Sequence, residues 1–435
     1  MQRHPLGRLV SDSHRLRRAE RLYQVDVRRN LNRNFVVNLI HGMLGQTGFR
    51  LLNAPTFLPA YILLLSGSDF AVGVALALQA FGMALTPLIG ATLIEHRPKV
   101  LPMGFVTGGA MRLSVLGIAL SGLILPPAAA LYAIFFWLTL FGLFQGMQGV
   151  IFNYLMSKVI PVSKRGRLTG LRNFLAGITS AGVALAGGEF FLGADPGVRG
   201  YSYTFVLAFV LTTCGLLSLA FMREPTPPTL RPRTGLLARL SELPALLRAD
   251  PAFTRYFLAR ALATAGRMAL PFYILFAGAS LELTGTNLGI LTVAFTLAGT
   301  VSNLLWGSLA DRHGFRLVYL LSIGLWVLAT LLLVASSGLL MTALVFVGIG
   351  AAVQGFQNSS MNLTLEFGHR DDLPVRIAIA NTASELVGTL GPLLGGAIAA
   401  TLGYPMVFLV SVAFLVAGGV MVIVLVPEPR HGRRG

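Results

Sequence analysis

Long apolar stretches, interrupted by short polar ones, recur along the chain from residue 35 to residue 426. Most are close to or longer than the roughly 20 residues that an α-helix needs to cross the hydrocarbon core of a bilayer. The pattern therefore predicts an all-α integral membrane protein with twelve transmembrane helices. The predicted helices cover 35–65, 70–93, 101–125, 128–155, 171–192, 203–222, 253–277, 287–309, 317–336, 339–363, 375–401 and 404–426.

A polar connection at 223–252 separates the sixth apolar stretch from the seventh. It begins with a proline-rich segment and continues with leucines at helical spacing as far as Leu247. This spacing predicts an amphipathic helix at the interface of membrane and water. The chain therefore divides into a basic arm, a six-helix bundle, a linker, a second six-helix bundle and a basic tail. These regions are 1–34, 35–222, 223–252, 253–426 and 427–435.

Composition agrees with a chain embedded in lipid. Hydrophobic residues make up 54% of the 435, and charged residues make up 12%, about half of the ~25% usual in soluble domains. The single cysteine, Cys214, excludes an intramolecular disulfide framework and a cysteine metal cluster. No phosphate-binding loop, metal-ligand spacing or nucleophile motif occurs, so we expect no enzyme activity, no cofactor and no metal.

The distribution of basic residues predicts the orientation of the chain. The two tails, the loops on their side and the adjoining span ends hold 29 of the 34 Lys and Arg residues, whereas the opposite side holds only Arg199. Cytoplasmic loops carry such an excess of positive charge. Both termini are therefore expected in the cytoplasm, with the protein in the plasma membrane, the inner membrane of a prokaryote.

The arm at 1–34 carries nine arginines and lacks the apolar core of a cleaved signal peptide. Leu16, Leu22, Val25 and Leu31 interleave with these arginines, a pattern typical of a helix that lies on an anionic inner leaflet. Nucleic-acid binding is the alternative for a basic arm. The membrane domain that follows favours the lipid bilayer as the partner, and we expect no nucleic acid.

The two predicted bundles also resemble each other in sequence. Gln145 and Gln148 of the fourth span recur as Gln354 and Gln357 of the tenth, at an offset of 209. The loop segment ATLIEHR of the first half matches GSLADRH of the second. We infer a duplicated six-helix unit with parallel topology.

The segment from Gly307 to Arg316 reads GSLADRHGFR and joins two apolar stretches by a short charged turn. Gly314 permits a backbone turn that a bulkier residue would resist. The string resembles the cytoplasmic loop signature of the major facilitator superfamily of secondary transporters, except that Phe315 replaces a basic residue. A generic charged turn is the alternative interpretation.

This resemblance implies a central cavity lined by the first, fourth, seventh and tenth helices. The polar residues of these helices are the candidate substrate ligands: Arg50, Gln46, Asn53, Gln145, Gln148, Arg267, Gln354, Gln357 and Asn358. The resemblance also implies that the loop stabilises the outward-open state of the carrier. The candidate gating residues are Gly307, Asp311, Arg312, Gly314 and Arg316, with Glu95 in the weaker first-half loop and Arg376 as a charge partner of Asp311.

Arg50 is predicted to lie in the middle of the first helix. An arginine at this depth costs at least ~2.5–3.5 kcal/mol, so it should face water or a partner. Arg267 lies one position from the repeat mate of Arg50 and would place a second cation on the opposite wall of the cavity. An arginine satisfied by carbonyl groups, and amides that only join helices, are the structural alternatives.

Arg112 and Glu385 are two further charges predicted near the midplane of the membrane. Glu385 is the only acidic residue at that depth, and a buried carboxylate can carry a proton, so we assign both residues to proton coupling. A fixed countercharge to an arginine is the alternative role for Glu385.

Two departures from the family pattern weaken a drug/proton antiporter. The arginine of a fourth-helix signature is replaced by Gly142, and the fifth-helix antiporter signature is incomplete after Gly182. Three deep arginines against one deep acid favour a small anionic or carboxylate-bearing solute, carried by a monomer through alternating access, with proton coupling left open. Drug efflux is the alternative within the transporter class, and a ligand sensor or a lipid scramblase is the alternative outside it.

Overall fold

The computed structural model describes residues 18–228, 247–248, 250–367 and 373–426, apart from Leu85, Glu95 and Pro196. The side chains of 373–383 and of Glu385, Leu88, Val162 and Leu365 also lie outside the described part. Every regular element in the described ranges is a helix. The predicted linker helix and basic tail fall outside these ranges, together with the first half of the arm.

The described residues of the first half form nine helices that we number α1 to α9. They are α1 at 18–29, α2 at Leu31–Asn53, α3 at Phe57–Ser66, α4 at Asp69–Ala84, α5 at Thr86–Ile94, α6 at Leu101–Ile124, α7 at Pro127–Val159, α8 at Val162–Gly187 and α9 at Val198–Ser218. A π-helical turn, Gly188–Leu192, extends α8.

The second half contains α10 to α16. They are α10 at Pro251–Ala265, α11 at Leu270–Ser280, α12 at Gly285–His313, α13 at Phe315–Val334, α14 at Gly338–Leu365, α15 at Leu373–Leu402 and α16 at Tyr404–Leu425. A 3-10 turn, Gly266–Ala269, joins α10 to α11.

Nine helices of the described part are long and apolar enough to cross a membrane, and a tenth span results if α2 and α3 are counted as one bent helix. Shorter apolar helices at Asp69–Ala84 and Leu386–Leu402 lie within the two remaining predicted stretches. The all-helical membrane fold is therefore confirmed. The count of twelve spans stays a prediction.

Prolines interrupt the predicted first and seventh spans at corresponding positions of the two halves. Ala54, which precedes Pro55, is extended at φ −62° and ψ 140°, and α3 is bent by 40° from α2. The residue before a proline avoids helical geometry, which explains the break. In the second half, the 3-10 turn ends at Ala269, two residues before Pro271. Both breaks lie close to predicted cavity arginines, Arg50 and Arg267.

The outer surface of the described helices carries many large apolar side chains. Phe81, Leu304 and Leu340 are exposed by 63%, 71% and 76%. Inside, aromatic residues such as Tyr273 and Trp326 are fully buried, and Trp326 Nε1 donates a hydrogen bond of 3.0 Å to the Tyr273 hydroxyl. An apolar exterior around a packed interior with paired polar groups is the arrangement that lipid as a solvent requires.

The helix α1 packs against the end of the first bundle through one face only. Tyr23 donates a hydrogen bond of 3.0 Å to the Lys158 carbonyl, and burial raises the pKa of the Tyr23 hydroxyl. The opposite face exposes Leu22 and Val25 among arginines. Binding of this exposed face of α1 to a lipid surface stays a prediction.

Candidate functional site

A cavity of about 670 Å³ lies between the two halves of the chain. Its wall includes residues of the four helices that the sequence predicted, together with α4, α12 and α15. The polar wall residues of the first half are Arg50, Asn53, Gln79 and Gln145. Those of the second half are Arg260, Thr264, Arg267, Thr296, Thr300, Gln354, Gln357, Ser360 and Ser384.

Six of the nine predicted substrate ligands lie on this wall. They are Arg50, Asn53, Gln145, Arg267, Gln354 and Gln357. Gln46, Gln148 and Asn358 are absent from the described wall. A place on the wall makes contact with a solute feasible, and the substrate-binding role of each residue stays a prediction.

Arg50 reaches across the boundary between the halves from the end of α2. Its Nη1 donates a hydrogen bond of 3.1 Å to Thr300 Oγ1 of α12. One turn further along, Asn53 Oδ1 accepts a hydrogen bond of 2.7 Å from Gln79 Nε2 of α4. The cavity-facing end of α2 is therefore held by neutral partners on two other helices, and these partners leave the charge of Arg50 uncompensated.

Arg260 is a wall residue that the sequence analysis did not assign to the site. It is only 8% exposed, and its Nη1 donates a hydrogen bond of 3.0 Å to Thr364 Oγ1 of α14. Arg260 lies two helical turns before Arg267, and a guanidinium within reach of a helix end can instead extend to the membrane surface. The position of Arg260 along its predicted helix therefore does not show whether its side chain faces the cavity or extends to the membrane surface.

Gln148 and Asn358 contact neighbouring helices. Gln148 Oε1 accepts a hydrogen bond of 2.6 Å from Thr107 Oγ1 of α6. Asn358 Nδ2 donates a hydrogen bond to Asn303 Oδ1 of α12. Amides in these positions join helices within one bundle, which is the structural alternative to ligand binding.

Arg112 lies within the first bundle and is absent from the described cavity wall. It is 2% exposed, its Nε donates to the Thr212 carbonyl, and its Nη1 donates to the Gly108 carbonyl, each at 2.7 Å. The guanidinium also lies 5.2 Å from the centre of the Phe49 ring. Carbonyl groups and a ring therefore satisfy Arg112 within its own bundle, and its role in proton coupling stays a prediction.

The cavity wall is positively charged in the described part of the chain. Arg50, Arg260 and Arg267 line it, and no acidic side chain does so among the described residues. Ser384 of α15 also lines it. The predicted proton carrier, Glu385, follows Ser384 in the chain, and its side chain lies outside the described part.

The segment 307–316, predicted as a short charged turn, is helical except at Gly314. The helix α12 ends at His313, α13 begins at Phe315, and Gly314 between them adopts a φ of 90° that favours glycine. Arg316 Nη2 donates to the Val422 and Ile423 carbonyls at 3.2 and 3.0 Å. This residue therefore caps the last turn of α16.

The structure gives fewer contacts for the other predicted gating residues. Gly307, Asp311 and Arg312 are exposed at the end of α12. Glu95 and the Arg376 side chain lie outside the described part. The gating role of the whole set stays a prediction.

Hydrogen bonds between the two halves run from the level of Arg50 to the bundle end opposite α1. In the part of the chain that the structure describes, they join Arg50 to Thr300, Thr56 to Thr292, Glu189 to Thr286 and Asp69 to Tyr404. Glycines let the backbones approach closely in the same region. A Cβ at Gly188 would overlap the Gly285 carbonyl, and a Cβ at Gly73 would overlap the Pro392 carbonyl.

A buried ion pair lies at the end of the first bundle that carries α1. Lys158 Nζ lies 2.5 Å from Glu224 Oε1, with side-chain exposures of 4% and 3%. The Glu224 carboxylate also accepts hydrogen bonds of 2.8 to 3.0 Å from the backbone N–H groups of Val100 and Leu101 at the start of α6. An acidic side chain at a helix N-terminus is favoured by the helix dipole. The pair therefore fixes α6, α7 and the end of the first half together.

Comparison with known proteins relates the second half of the chain to one family. The family model described as Major Facilitator Superfamily matches residues 256–435. An uncharacterized MFS-type transporter of Mycobacterium tuberculosis is 32% identical over 146 residues, which are 33% of this chain and 25% of that protein. The Methylenomycin A resistance protein of Bacillus subtilis is 29% identical over 155 residues, which are 31% of this chain and 32% of that protein. The chain matches about a quarter to a third of the length of these curated relatives.

Solved structures of transporters share the fold over most of the chain. A D-xylose-proton symporter superposes with a TM-score of 0.72 at 13% identity, over 92% of this chain and 99% of that one. The nucleoside transporter NupG superposes with a TM-score of 0.66 at 14% identity, over 89% and 98%. Identities this low establish the common fold and leave the solute open.

Proposed function

We propose that this chain is a transporter of the major facilitator superfamily and that its solute is a small anion or a carboxylate-bearing molecule. The observation that supports this proposal is the charge of the cavity. Three arginines line it from both halves, without an acidic side chain among the described wall residues. An anion that enters the cavity would place its negative charge beside Arg50, whose described hydrogen-bond partners are neutral.

Physical chemistry explains why this arrangement favours an anion over a neutral or cationic solute. A guanidinium removed from bulk water loses hydration, and a carboxylate or phosphate can compensate for that loss with charge-assisted hydrogen bonds. The planar guanidinium binds two oxygens of such a group at once. A cation in the same cavity would meet three like charges at reduced dielectric, where repulsion is stronger than in water.

The proposal includes alternating access, in which two six-helix bundles rock about a central site. The inter-half hydrogen bonds support it, because they extend from Arg50 to the end opposite α1. We take this arrangement as one of two alternating states. The same proposal includes a monomeric carrier with twelve spans and cytoplasmic termini, located in a prokaryotic inner membrane. It also includes proton coupling through Glu385.

Uptake into proteoliposomes tests the solute class. The full chain is reconstituted, and uptake is measured for succinate, benzoate and inorganic phosphate, with uridine and D-xylose as neutral solutes and ethidium as a cationic amphipath. We expect saturable uptake of at least one anion and none of the neutral solutes. Exclusive uptake of uridine or D-xylose would overturn the proposal.

Arg50 variants link such uptake to the cavity. Arg50→Ala should abolish uptake of the anion, and Arg50→Lys should weaken it, because lysine keeps the charge but loses the planar fork. Arg199→Ala is the matched control, because it removes the same charge from an exposed position outside the cavity. Equal uptake by Arg50→Ala and by Arg199→Ala would return Arg50 to a structural role.

Efflux of a drug-like amphipath is the second candidate function. It is supported by the similarity to a protein named for methylenomycin A resistance. Transport of ethidium without transport of any anion would favour this candidate. Ligand binding without any solute flux would instead favour a transporter-like sensor. Lipid movement between the leaflets without solute flux would favour a scramblase.

A further inference from the structure

Arg172 of α8 is a half-buried arginine that neither the sequence motifs nor the cavity wall explains. Its aliphatic stem packs on Gly42 of α2, where a Cβ would overlap it. Its guanidinium lies 4.6 Å from the centre of the Phe152 ring. The side chain is therefore directed toward α2, the helix that carries Arg50.

Gln46 lies between Arg172 and Arg50. One atom of its amide group is 3.4 Å from Arg50 Nη2, and the other lies 2.9 Å from both Nε and Nη2 of Arg172 in the orientation that pairs these groups. An amide has one acceptor oxygen, whereas both guanidiniums only donate. The Gln46 oxygen can therefore accept from one arginine at a time. Asn173 Oδ1 also lies 3.1 Å from the Gln46 amide, and Thr300 Oγ1 accepts from Arg50 Nη1, so each of these acceptors around the two guanidiniums is a neutral group.

The charges described around this cluster are positive. Arg50 and Arg172 lie on either side of the Gln46 amide, so their like charges act on each other. His41, which lies near Arg172, directs its Nδ1 to the Gly215 carbonyl. Among the described side chains named here, the cluster therefore carries two positive charges and no negative one.

We propose that Arg172 and Arg50 together hold one anionic group of the solute, a carboxylate or a phosphate, with Gln46 between them. The inference rests on the proposed function and assigns the anion a second cation. The oxygens of this group supply the acceptors that a single amide cannot, and its charge removes the repulsion between the guanidiniums. Arg172 becomes a substrate-binding residue in a helix outside the four that the family resemblance implies.

Arg172→Met separates this role from a structural one. Methionine keeps an unbranched apolar stem against Gly42 and removes the charge. The thermal midpoint of the full chain in nanodiscs is measured with and without succinate, and with and without inorganic phosphate. The anion-free midpoint should stay the same or rise, because the repulsion is gone. The midpoint increase produced by the anion should be lost, with an apparent affinity weakened by about tenfold or more.

Arg167→Met is the matched control, because Arg167 is exposed on the same helix. It should leave both midpoints unchanged. Arg172→Lys should bind the anion with intermediate affinity. The double variant Arg50→Ala with Arg172→Met should lose less affinity than the sum of the two single losses, since both residues hold the same group.

The outcomes distinguish this inference from the proposed function. If Arg50→Ala abolishes the anion effect and Arg172→Met preserves it, the proposed function stands and the two-arginine site is refuted. If Arg172→Met lowers the anion-free midpoint and leaves the anion effect intact, Arg172 is a structural residue. If the unmodified chain responds to no anion, both proposals fail. A response to phosphate without one to succinate, or the reverse, identifies the anionic group.

Discussion

Gly73 lies where α4 of the first half packs against α15 of the second, near the end of the bundle opposite α1. A Cβ at this position would overlap the Pro392 carbonyl oxygen and lie 3.0 Å from Gly396 Cα. Both neighbours are backbone atoms, which cannot move aside as a side chain can. Gly73→Ala should therefore force the two helices apart in this conformation.

The size of the effect follows from the cost of overpacking. An extra methyl group in a close-packed contact typically costs about 1–3 kcal/mol. In a carrier that alternates, the contact between Gly73 and Gly396 separates when the end opposite α1 opens, so the other state does not bear this cost. A penalty of this size in one state shifts the ratio of the two states by about 5- to 150-fold.

Cysteine labelling measures this shift. The background variant Cys214→Ser removes the native thiol, and Ala80→Cys introduces a thiol on the cavity wall, where Ala80 lies. Sealed vesicles are treated with a membrane-impermeant maleimide from each side. Gly73→Ala should increase labelling from the side opposite α1 and decrease it from the other side.

Gly324→Ala is the control substitution. Gly324 of α13 has no atom within 4 Å of an added Cβ in the described part, so this change should leave the labelling of both sides as it was. Equal labelling of Gly73→Ala and of the parent protein would refute the reasoning. It would mean that the contact between α4 and α15 does not open during the cycle.

Three further predictions concern charged residues. Glu224→Ala should lower the free energy of unfolding by about 3–5 kcal/mol, because it leaves Lys158 buried without its partner. Thermal denaturation measures this loss, and adding Lys158→Met should recover part of it. Glu385→Gln should abolish accumulation driven by a pH gradient and preserve exchange between equal pools, whereas loss of both activities would favour a fixed countercharge. Asp311→Asn should lower the transport rate and increase accessibility of cavity cysteines from the α1 side, with little change in substrate affinity. If Asp311→Asn kept the parental transport rate and the parental accessibility, the loop would be a simple charged turn without a gating role.

Local features of the fold could be predicted from the sequence because they depend on neighbouring residues. Membrane helices form their hydrogen bonds within one segment, so a long apolar stretch is enough to predict one. The turn at Gly314 follows from a glycine between two helices. The break after α2 was not predicted, because the apolar pattern predicts one helix over 35–65, although the residue before Pro55 avoids helical geometry. The long helices in the described part agree with these expectations.

The positions of the candidate site residues were harder to predict than the helices. Helix periodicity gives the angle between two side chains on one helix, but it does not show whether either side chain faces the cavity or a neighbouring helix. Gln145 and Gln148 are three residues apart on α7, yet Gln145 lines the cavity and Gln148 bonds to α6. Arg50 and Arg112 are both deep arginines. Only the contacts of each show that the first faces the cavity and the second faces carbonyl groups of its own bundle.

The sequence by itself determined that this chain is a helical membrane protein with a short turn between α12 and α13, and it predicts two related halves. The helices and the turn come from hydropathy and backbone preference, which act over at most a few turns of chain. The tertiary structure decided which arginines share a cavity and brought Arg172 beside Arg50, 122 residues apart in the numbering. The reason is that the environment of a charge is created by helices distant in sequence, whose packing no local pattern records.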